Sequence, residues 1–397
     1  MKAFAIDHSQ IARVLAALAA DELARSFKKH KDFLTIAGWK AETPLGAGGL
    51  ALNETERTAC AQRAAEFFGL AIDSLERVSA ERLADWAKAI EAAIDRKLEI
   101  FAFAPAGRDN DDAPVAHAAD EMFQDAAAAA NLLYGRRRVL SLVSPHSLLG
   151  FILTVLTPNL QRVAVCDARG MAPEALSGAL AFGDALVATP TLWRYAMREG
   201  LAAPDNVMGV TFGEPMTAEL AVDMRKAGFS AMRELYGSTE TGVIGWRDGP
   251  GEAFVLFDHW RREGEGIVRR PPGGGERAIE PMDILAWDGA RSFRLAGRRD
   301  GAIQVGAVNV FPDRIAEIIR RHPRVAACRM SVSKPRNGVN RLVAHIVLAD
   351  NAPPSETAAR EIDGWCRENL RPQERPRIYN FESAVNAPKK NRARRGP

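Results

Sequence analysis

The stretch Leu235-Tyr236-Gly237-Ser238-Thr239-Glu240-Thr241-Gly242 has the composition of a tight phosphate-binding turn. Its glycines let backbone N–H groups approach a ligand, its hydroxyls can donate to phosphate oxygens, and its carboxylate can hold a divalent cation. Short β patterns precede it, at 229–235, and follow it, at 243–246. From the residues alone, a structural loop and a phosphate-binding turn are equally good interpretations.

The composition is that of a folded globular protein with a large core. Of the 397 residues, 47% are hydrophobic and 26% are charged, and this length suits two or three domains. The net charge of +3 at pH 7 is small. Electrostatics therefore gives no reason to expect nucleic acid or an anionic membrane as a partner.

Cysteine spacing and apolar runs bear on the cellular compartment. The four cysteines are scattered without a Cys-x-x-Cys pair, which argues against a zinc site and against a disulfide framework. The longest apolar run, 148–156, is far shorter than the ~20 residues that span a bilayer. We expect a cytoplasmic protein without a membrane span.

The patterns along the chain predict three regions. Helical spacing dominates residues 1–97, strands alternate with helices through 98–296, and residues 297–397 form a small mobile C-terminal domain. Within the middle region, which would be the core domain, one helix is predicted over 116–133. We therefore predict an α/β fold with mostly parallel sheets and flanking helices, joined by a hinge to a small α+β domain.

Two motifs resemble those of one enzyme superfamily. The stretch 236–242 resembles the Tyr-Gly-x-Thr-Glu motif of adenylate-forming enzymes, which include acyl- and aryl-CoA ligases, peptide-synthetase adenylation domains and luciferases. Residues 297–312, which begin Gly297-Arg298-Arg299-Asp300, resemble the hinge segment of the same superfamily. Chance rarely produces two motifs of this specificity in the expected order. The likeness covers roughly residues 98–397 and is greatest to compact bacterial ligases similar to 4-coumarate–CoA ligase.

The resemblance implies catalytic roles for several residues. Thr239 would contact the α-phosphate of an acyl adenylate and Glu240 would bind Mg²⁺, since a cation and a hydroxyl donor stabilise the charge that builds there. Arg298 would reach ribose or phosphate, and Asp300 would lie at the pivot of the small domain. Arg394, in the basic tail, stands where relatives carry a lysine that contacts the carboxylate and the α-phosphate, and Lys390 and Arg392 are the alternatives for this role.

Further residues are implied to line the nucleotide and acyl sites. Asp283 would accept both ribose hydroxyls, which suits a carboxylate with two oxygens. The turn at 213–215 resembles one that packs near adenine. The nucleotide-binding residues so predicted are Gly213, Glu214, Pro215, Tyr236, Gly237, Ser238 and Asp283, and those of the acyl pocket are His146, Thr189 and Trp193.

The chain departs from the family pattern in its phosphate loop. Aligned on His117, Asn110 replaces a glycine and Ala113 replaces the usual lysine. The acidic residues at 109, 111 and 112 would repel phosphate. A solvated acidic surface loop is therefore the favoured interpretation of this segment.

The main functional hypothesis is an ATP-dependent, AMP-forming ligase. It would activate an aryl or unsaturated carboxylic acid as an acyl adenylate and pass it to the thiol of CoA or of a carrier-protein phosphopantetheine, with ATP and Mg²⁺ as cofactors. One alternative is a degenerate ligase-like protein that binds nucleotide, acyl adenylate or an acyl carrier protein. Another is an amide-forming ligase. The sequence does not decide the oligomeric state, although relatives are often homodimers.

Overall fold

The structure, a computed structural model, divides into two compact units, Met1–Gly297 and Arg298–Pro397. The first contains a nine-stranded mixed sheet with flanking helices, and the second contains a smaller sheet with its own helices. The predicted α/β fold with a small α+β C-terminal part is confirmed. The residues described are 6–105, 113–305, 308–333, 340–349 and 355–382.

Among the described residues, four helices precede the first strand, within the region 1–97 where helical spacing dominates. The first is capped by Asp7, whose carboxylate accepts from the backbone N–H groups of Ser9 and Gln10, each at 2.9 Å. The third begins with a reciprocal capping box between Asn53 and Glu56. The helices are α1 (His8–Phe27), α2 (Phe33–Gly38), α3 (Glu54–Phe67) and α4 (Leu83–Ile94).

A two-stranded ribbon follows, and it corrects one sequence expectation. Strands β1 (Ile100–Phe103) and β2 (Val115–Ala118) pair antiparallel, and helix α5 (Ala119–Leu132) begins only after them. The helix predicted from residue 116 therefore begins three residues later. Pairing with β1 outweighs the helical pattern here because the ladder satisfies the backbone of β2, which is a tertiary effect.

The main sheet has the strand order β13-β14-β9-β8-β7-β6-β5-β3-β4. Strands β4, β3, β5, β6 and β7 run parallel, and β8 and β9 continue the sheet antiparallel. A separate sheet contains β10, β11 and β12. The strands are β3 (Arg138–Ser141), β4 (Ala164–Asp167), β5 (Asp184–Val187), β6 (Met208–Phe212), β7 (Ala231–Ser238), β8 (Gly242–Arg247), β9 (Phe254–Leu256), β10 (Trp260–Glu263), β11 (Gly266–Arg269), β12 (Arg277–Ile279), β13 (Asp283–Trp287) and β14 (Ser292–Arg298).

Helices cover both faces of this sheet, so the central strands are buried on both sides. No helix in the part of the chain that the structure describes is long and apolar enough to cross a membrane. After α5 the helices are α6 (Leu148–Phe151), which continues through a π-helical turn (Ile152–Leu156) into α7 (Thr157–Gln161), then α8 (Pro173–Ala179), α9 (Pro190–Arg198) and α10 (Ala218–Lys226).

The N-terminal helices share a hydrophobic core with the first strands and the sheet. Phe67 of α3 packs edge-to-face on Phe103 of β1, with ring centroids 5.1 Å apart, and on Phe151 of α6 at 5.2 Å. Residues on both sides of the predicted boundary at residue 97 contribute to this shared core. The division into a helical region and a core domain stays a prediction.

The second unit has its own core, built between one sheet and the helices that cover it. Strands β17 and β18 pair antiparallel, and β19 pairs with β18 in parallel. A short hairpin of β15 and β16 precedes them. The elements are β15 (Ile303–Val305), β16 (Val308–Val310), α11 (Pro312–Arg320), β17 (Val325–Ser333), β18 (Arg341–Leu348), α12 (Glu356–Asn369) and β19 (Ile378–Phe381).

Candidate active site

The phosphate-binding stretch forms the end of a β-hairpin. Strands β7 and β8 pair antiparallel, and residues 239–241 make the turn between them. The register shifts between Tyr236 and Gly237. A Cβ on Gly237 would lie 2.2 Å from the carbonyl oxygen of Gly242, so the bulge requires glycine. The stretch is thus mostly strand, and only its tip is a turn.

The tip exposes one carboxylate and fixes its neighbours. The Glu240 side chain is exposed, whereas Ser238 and Thr239 are half-buried. The backbone N–H of Ser238 donates to Thr241 Oγ1 at 3.2 Å, and the two hydroxyl oxygens lie 3.1 Å apart. The carboxylate predicted to bind Mg²⁺ therefore projects from a turn with its own hydrogen bonds.

Two of the predicted nucleotide-binding residues meet in the structure. The Tyr236 hydroxyl donates to Asp283 Oδ2 at 2.8 Å, although the residues are 47 positions apart. The Tyr236 ring packs against Phe254 and Phe293 at centroid distances of 5.6 and 5.5 Å. These contacts anchor the Asp283 carboxylate at the start of β13.

The turn after β6 is held by an ion pair. The Glu214 carboxylate accepts from the Thr191 hydroxyl at 2.7 Å and from the Arg194 guanidinium at 2.8 Å. Gly213 has a φ of +86°, in the left-handed region that favours glycine. These contacts fix the Gly213-Glu214-Pro215 turn to α9 through Glu214.

The residues predicted for the acyl pocket have different surroundings. Trp193 is fully buried, and its indole N–H donates to the Val210 carbonyl at 3.2 Å. Thr189 caps α9 by accepting from the Leu192 N–H at 3.4 Å. Burial lowers the pKa of His146, which favours the neutral ring. The acyl-pocket roles of these residues stay predictions.

In the second unit, two predicted residues bind each other. The Arg298 guanidinium donates to both carboxylate oxygens of Asp300, at 2.9 and 2.7 Å, and the Ala302 N–H donates to the first of them at 3.0 Å. The hydrogen bonds from Arg298 hold the pKa of Asp300 below its usual value. Arg394 lies outside the described residues, as does 106–112 of the phosphate loop. The roles predicted for Arg298, Asp300 and Arg394 stay predictions.

Three buried side chains bind the hairpin from behind, and the sequence motifs do not include them. The Asp125 carboxylate accepts from the Val243 N–H at 3.0 Å. Arg269 donates to the Thr241 carbonyl at 3.3 Å and to Asp125 at 2.8 Å. The Trp260 indole N–H donates to the Val243 carbonyl at 2.8 Å. We call Asp125, Trp260 and Arg269 the hairpin brace.

The sequence does carry one signal for the brace. Asp125 follows Met122 by three positions and precedes Ala129 by four, so it lies on the apolar face of α5 among buried residues. A carboxylate on such a face needs a buried partner. Nothing in the local sequence around Arg269 identifies it as that partner.

A histidine holds the other side of the turn. His117 Nε2 lies 2.6 Å from the carbonyl oxygen of Thr239, so the ring carries its proton on Nε2 and donates it. Burial lowers the pKa of His117, although this hydrogen bond partly opposes the shift. His117 is not among the predicted site residues, and only the structure shows its contact with Thr239.

Comparisons with known proteins identify the family of the chain. No family model matches the chain. A 4-coumarate–CoA ligase from Halorhodospira halophila is 29% identical over 374 residues, which cover 94% of this chain and 95% of that protein. A 4-coumarate–CoA ligase from Cereibacter sphaeroides is 31% identical over 323 residues, which cover 77% of this chain and 75% of that protein. The chain belongs to the 4-coumarate–CoA ligase family of adenylate-forming enzymes.

Solved structures share the fold of this family member. The amide bond synthetase from Marinactinospora thermotolerans has a TM-score of 0.58 and 16% identity, covering 94% of this chain and 90% of that one. The o-succinylbenzoate CoA synthetase from Bacillus subtilis has a TM-score of 0.54 and 18% identity, covering 68% and 63%. At these identities the likeness concerns the fold alone.

Family membership makes the chain an acid–thiol ligase, and ATP, Mg²⁺ and CoA are the cofactors of such enzymes. The hairpin tip fits a magnesium nucleotide, because Mg²⁺ is usually held by one or two carboxylates together with substrate phosphates. Glu240 is such an exposed carboxylate. Among the residues described, no group of three or more His, Cys, Asp or Glu side chains could hold a metal by itself.

A cavity of about 790 Å³ opens beside the outer face of α5. Its lining includes Gln124, Asn131, Trp246 and His259, and it includes none of the predicted site residues. The cavity is therefore separate from the hairpin tip, and we assign no ligand to it.

Proposed function

We propose that this ligase activates an aryl or unsaturated carboxylic acid as its acyl adenylate and passes the acyl group to a thiol. The thiol would belong to CoA or to the phosphopantetheine of a carrier protein. One observation carries the proposal: Thr239 and the exposed Glu240 lie on a turn that buried side chains hold on both sides. A turn fixed in this way is preorganised for charge that develops on a phosphate.

Both steps are nucleophilic displacements. In the first, a carboxylate oxygen bonds to the α-phosphorus of ATP, the bond from that phosphorus to the bridging oxygen breaks, and pyrophosphate leaves. Thr239 would donate a hydrogen bond to an α-phosphate oxygen, and Glu240 would hold the Mg²⁺ ion, whose positive charge would stabilise the charge on the phosphates. In the second, a thiolate bonds to the acyl carbon, and AMP leaves with the electron pair of the broken C–O bond.

The nucleotide contacts follow from the same hairpin. The Asp283 carboxylate, anchored by Tyr236, would accept the ribose hydroxyls. Gly237, which has no side chain, and its neighbour Ser238 would let the backbone approach the nucleotide. The turn that contains Glu214 would pack near adenine.

Acid-dependent ATP–pyrophosphate exchange tests the proposal. Over a panel of aryl, unsaturated and saturated acids, we expect exchange with aryl or unsaturated acids. Glu240→Gln should abolish it, because the amide removes the anionic ligand of the cation. Glu265→Gln is a matched control, since Glu265 lies on another turn with a side chain that is 78% exposed. No exchange with any acid would refute the proposed function, and a fully active Glu240→Gln variant would move the metal site elsewhere.

Two alternatives concern the acceptor and the activity itself. An amide-forming ligase would yield an amide with amines but no thioester with CoA. A degenerate ligase-like protein would bind ATP or a carrier protein without pyrophosphate release. Product analysis with CoA, a holo carrier protein, hydroxylamine and simple amines separates these outcomes, and calorimetry with ATP and Mg²⁺ tests nucleotide binding.

We also propose a cytoplasmic location and a homodimeric assembly, on the grounds of cysteine spacing and of the family. Light scattering on the purified protein would give the mass of the assembly. A mass equal to the 43.2 kDa of one chain would refute the homodimer.

A further inference from the structure

A buried ion pair stands directly behind the proposed phosphate-binding turn. The side chains of Asp125 and Arg269 are both 0% exposed, and they meet at 2.8 Å. Removing two charges from water is expensive, and their mutual attraction repays this only when further hydrogen bonds satisfy them. The additional partners of this pair therefore indicate what it holds in place.

Those partners include backbone groups of the hairpin and of α5, and the side chains of Glu121, Gln124 and His259 also contact the pair. Asp125 binds the N–H of Val243, while Arg269 binds the carbonyls of Thr241 and Glu121. Gly242 lies between Thr241 and Val243, and a Cβ on Gly242 would be 2.4 Å from Asp125 Oδ2. The side chains of the pair thus fit closely against the backbone of residues 241–243, directly after Glu240.

The third member of the brace completes the attachment. Trp260 binds the Val243 carbonyl, so buried side chains bind both backbone polar groups of this residue. The Arg269 guanidinium also lies 5.2 Å from the centre of the Trp260 ring, a cation–π distance. The brace is therefore one connected network, and its members come from α5, β10 and β11.

We propose that Asp125 and Arg269 are positioning residues for the Glu240 carboxylate in the adenylation step. They contact no substrate, and they act by fixing the backbone of residues 241–243. This inference rests on the proposed function of the hairpin tip. A tip that moves by about 1 Å loses catalytic geometry even when the fold persists, which is how a positioning residue differs from a merely structural one.

A second ion pair, with a buried aspartate and an arginine whose side chain is 33% exposed, provides a control. The Asp184 side chain is 3% exposed and pairs with Arg138 at 2.6 Å. Both residues lie at the amino ends of their strands, β5 and β3, and they bind neither the hairpin nor its brace. Asp184→Asn therefore removes a comparable charge from the same unit without touching the tip.

The test compares Asp125→Asn, Arg269→Lys and Asp184→Asn in the full-length protein. We expect both brace variants to raise the KM for ATP·Mg²⁺ in pyrophosphate exchange at least fivefold while the KM for the acid stays within twofold. Hydrogen exchange followed by mass spectrometry should show faster exchange in peptides that cover 239–243. Asp184→Asn should change neither quantity.

Each outcome decides the proposal. Unchanged hairpin exchange in the brace variants would overturn it, and so would equal effects in Asp184→Asn. If both brace variants fail to fold while Asp184→Asn folds, the pair supports the whole unit and the local role is wrong. If the wild-type protein shows no acid-dependent exchange, the proposed function fails, and hydrogen exchange still decides whether the brace holds the hairpin.

Discussion

Two aspartate–arginine pairs in this molecule differ in almost every physical respect. Asp125 and Arg269 are 144 positions apart, and the side chains of both are 0% exposed. Asp300 and Arg298 are two positions apart, with side chains that are 14% and 19% exposed. The first pair binds the backbone of the hairpin, whereas Asp300 binds its near neighbours Arg298 and Ala302.

The difference shows how one kind of contact can serve two purposes. A long-range buried pair forms only when α5, β11 and the hairpin are assembled, and it leaves an uncompensated charge if one partner is lost. A local, partly exposed pair contributes little to stability, and it can re-form after the backbone around it turns because its partners are only two positions apart. The first suits a rigid tip, and the second suits the hinge that the sequence predicts at Asp300.

The largest effect should come from Asp125→Ala. It removes the nearer of the two carboxylates beside the buried Arg269 guanidinium and leaves only Glu121, at 3.7 Å, so we expect a loss of about 3 kcal/mol in the free energy of unfolding. Urea unfolding followed by tryptophan fluorescence measures it, because six of the seven tryptophans precede Arg298 and only Trp365 follows it. Adding Arg269→Met should recover part of the loss. A loss below about 1 kcal/mol would mean that the Asp125–Arg269 pair contributes no more to stability than a local, partly exposed pair.

A smaller effect should follow from Gly237→Ala. The new Cβ would lie 2.2 Å from the Gly242 carbonyl oxygen, so the backbone must shift, at a cost of about 1–3 kcal/mol. Gly364→Ala is the control, because its Cβ meets nothing within 4 Å and the helix α12 gains propensity. Thermal unfolding of both variants measures the difference. Equal melting temperatures would mean that the tip is less tightly packed than its contacts indicate.

His117 gives the hairpin a pH dependence. Burial lowers its pKa, so below about pH 6.5 the unfolded chain binds more protons than the folded one, and stability falls as the pH falls. Replacing it with glutamine should cost about 1 kcal/mol at pH 7.5. The loss on going from pH 7.5 to 5.5 should be smaller in His117→Gln than in the wild type. Parallel pH profiles of unfolding free energy would refute this.

The smallest effect on stability should come from Asp300→Ala. The pair with Arg298 is local and partly exposed, so we expect a change of at most about 1 kcal/mol. If Asp300 is the pivot, thioester formation should fall while ATP–pyrophosphate exchange stays near the wild-type rate. Separate assays of the two half-reactions check this. A large loss of stability, or equal losses in both reactions, would show that this pair is as structural as the buried one.

Most of the fold could be predicted from the sequence, because spacing and caps are local. The patterns predict the α/β sheet with flanking helices and the small α+β part that the structure contains. The strand β2 could not be predicted, because it depends on pairing with β1. The brace could not be predicted either, because its members come from three distant elements.

The sequence by itself determined the family, the two motifs and the identity of the residues at the hairpin tip. Those signals are local, because the backbone conformation at a position decides whether it requires a glycine, and a motif is a run of neighbouring residues. Only the tertiary structure decided how the tip is held. Asp125, Trp260, Arg269 and His117 meet the hairpin through the packing of separate elements, and a linear pattern does not encode which buried charge finds which partner.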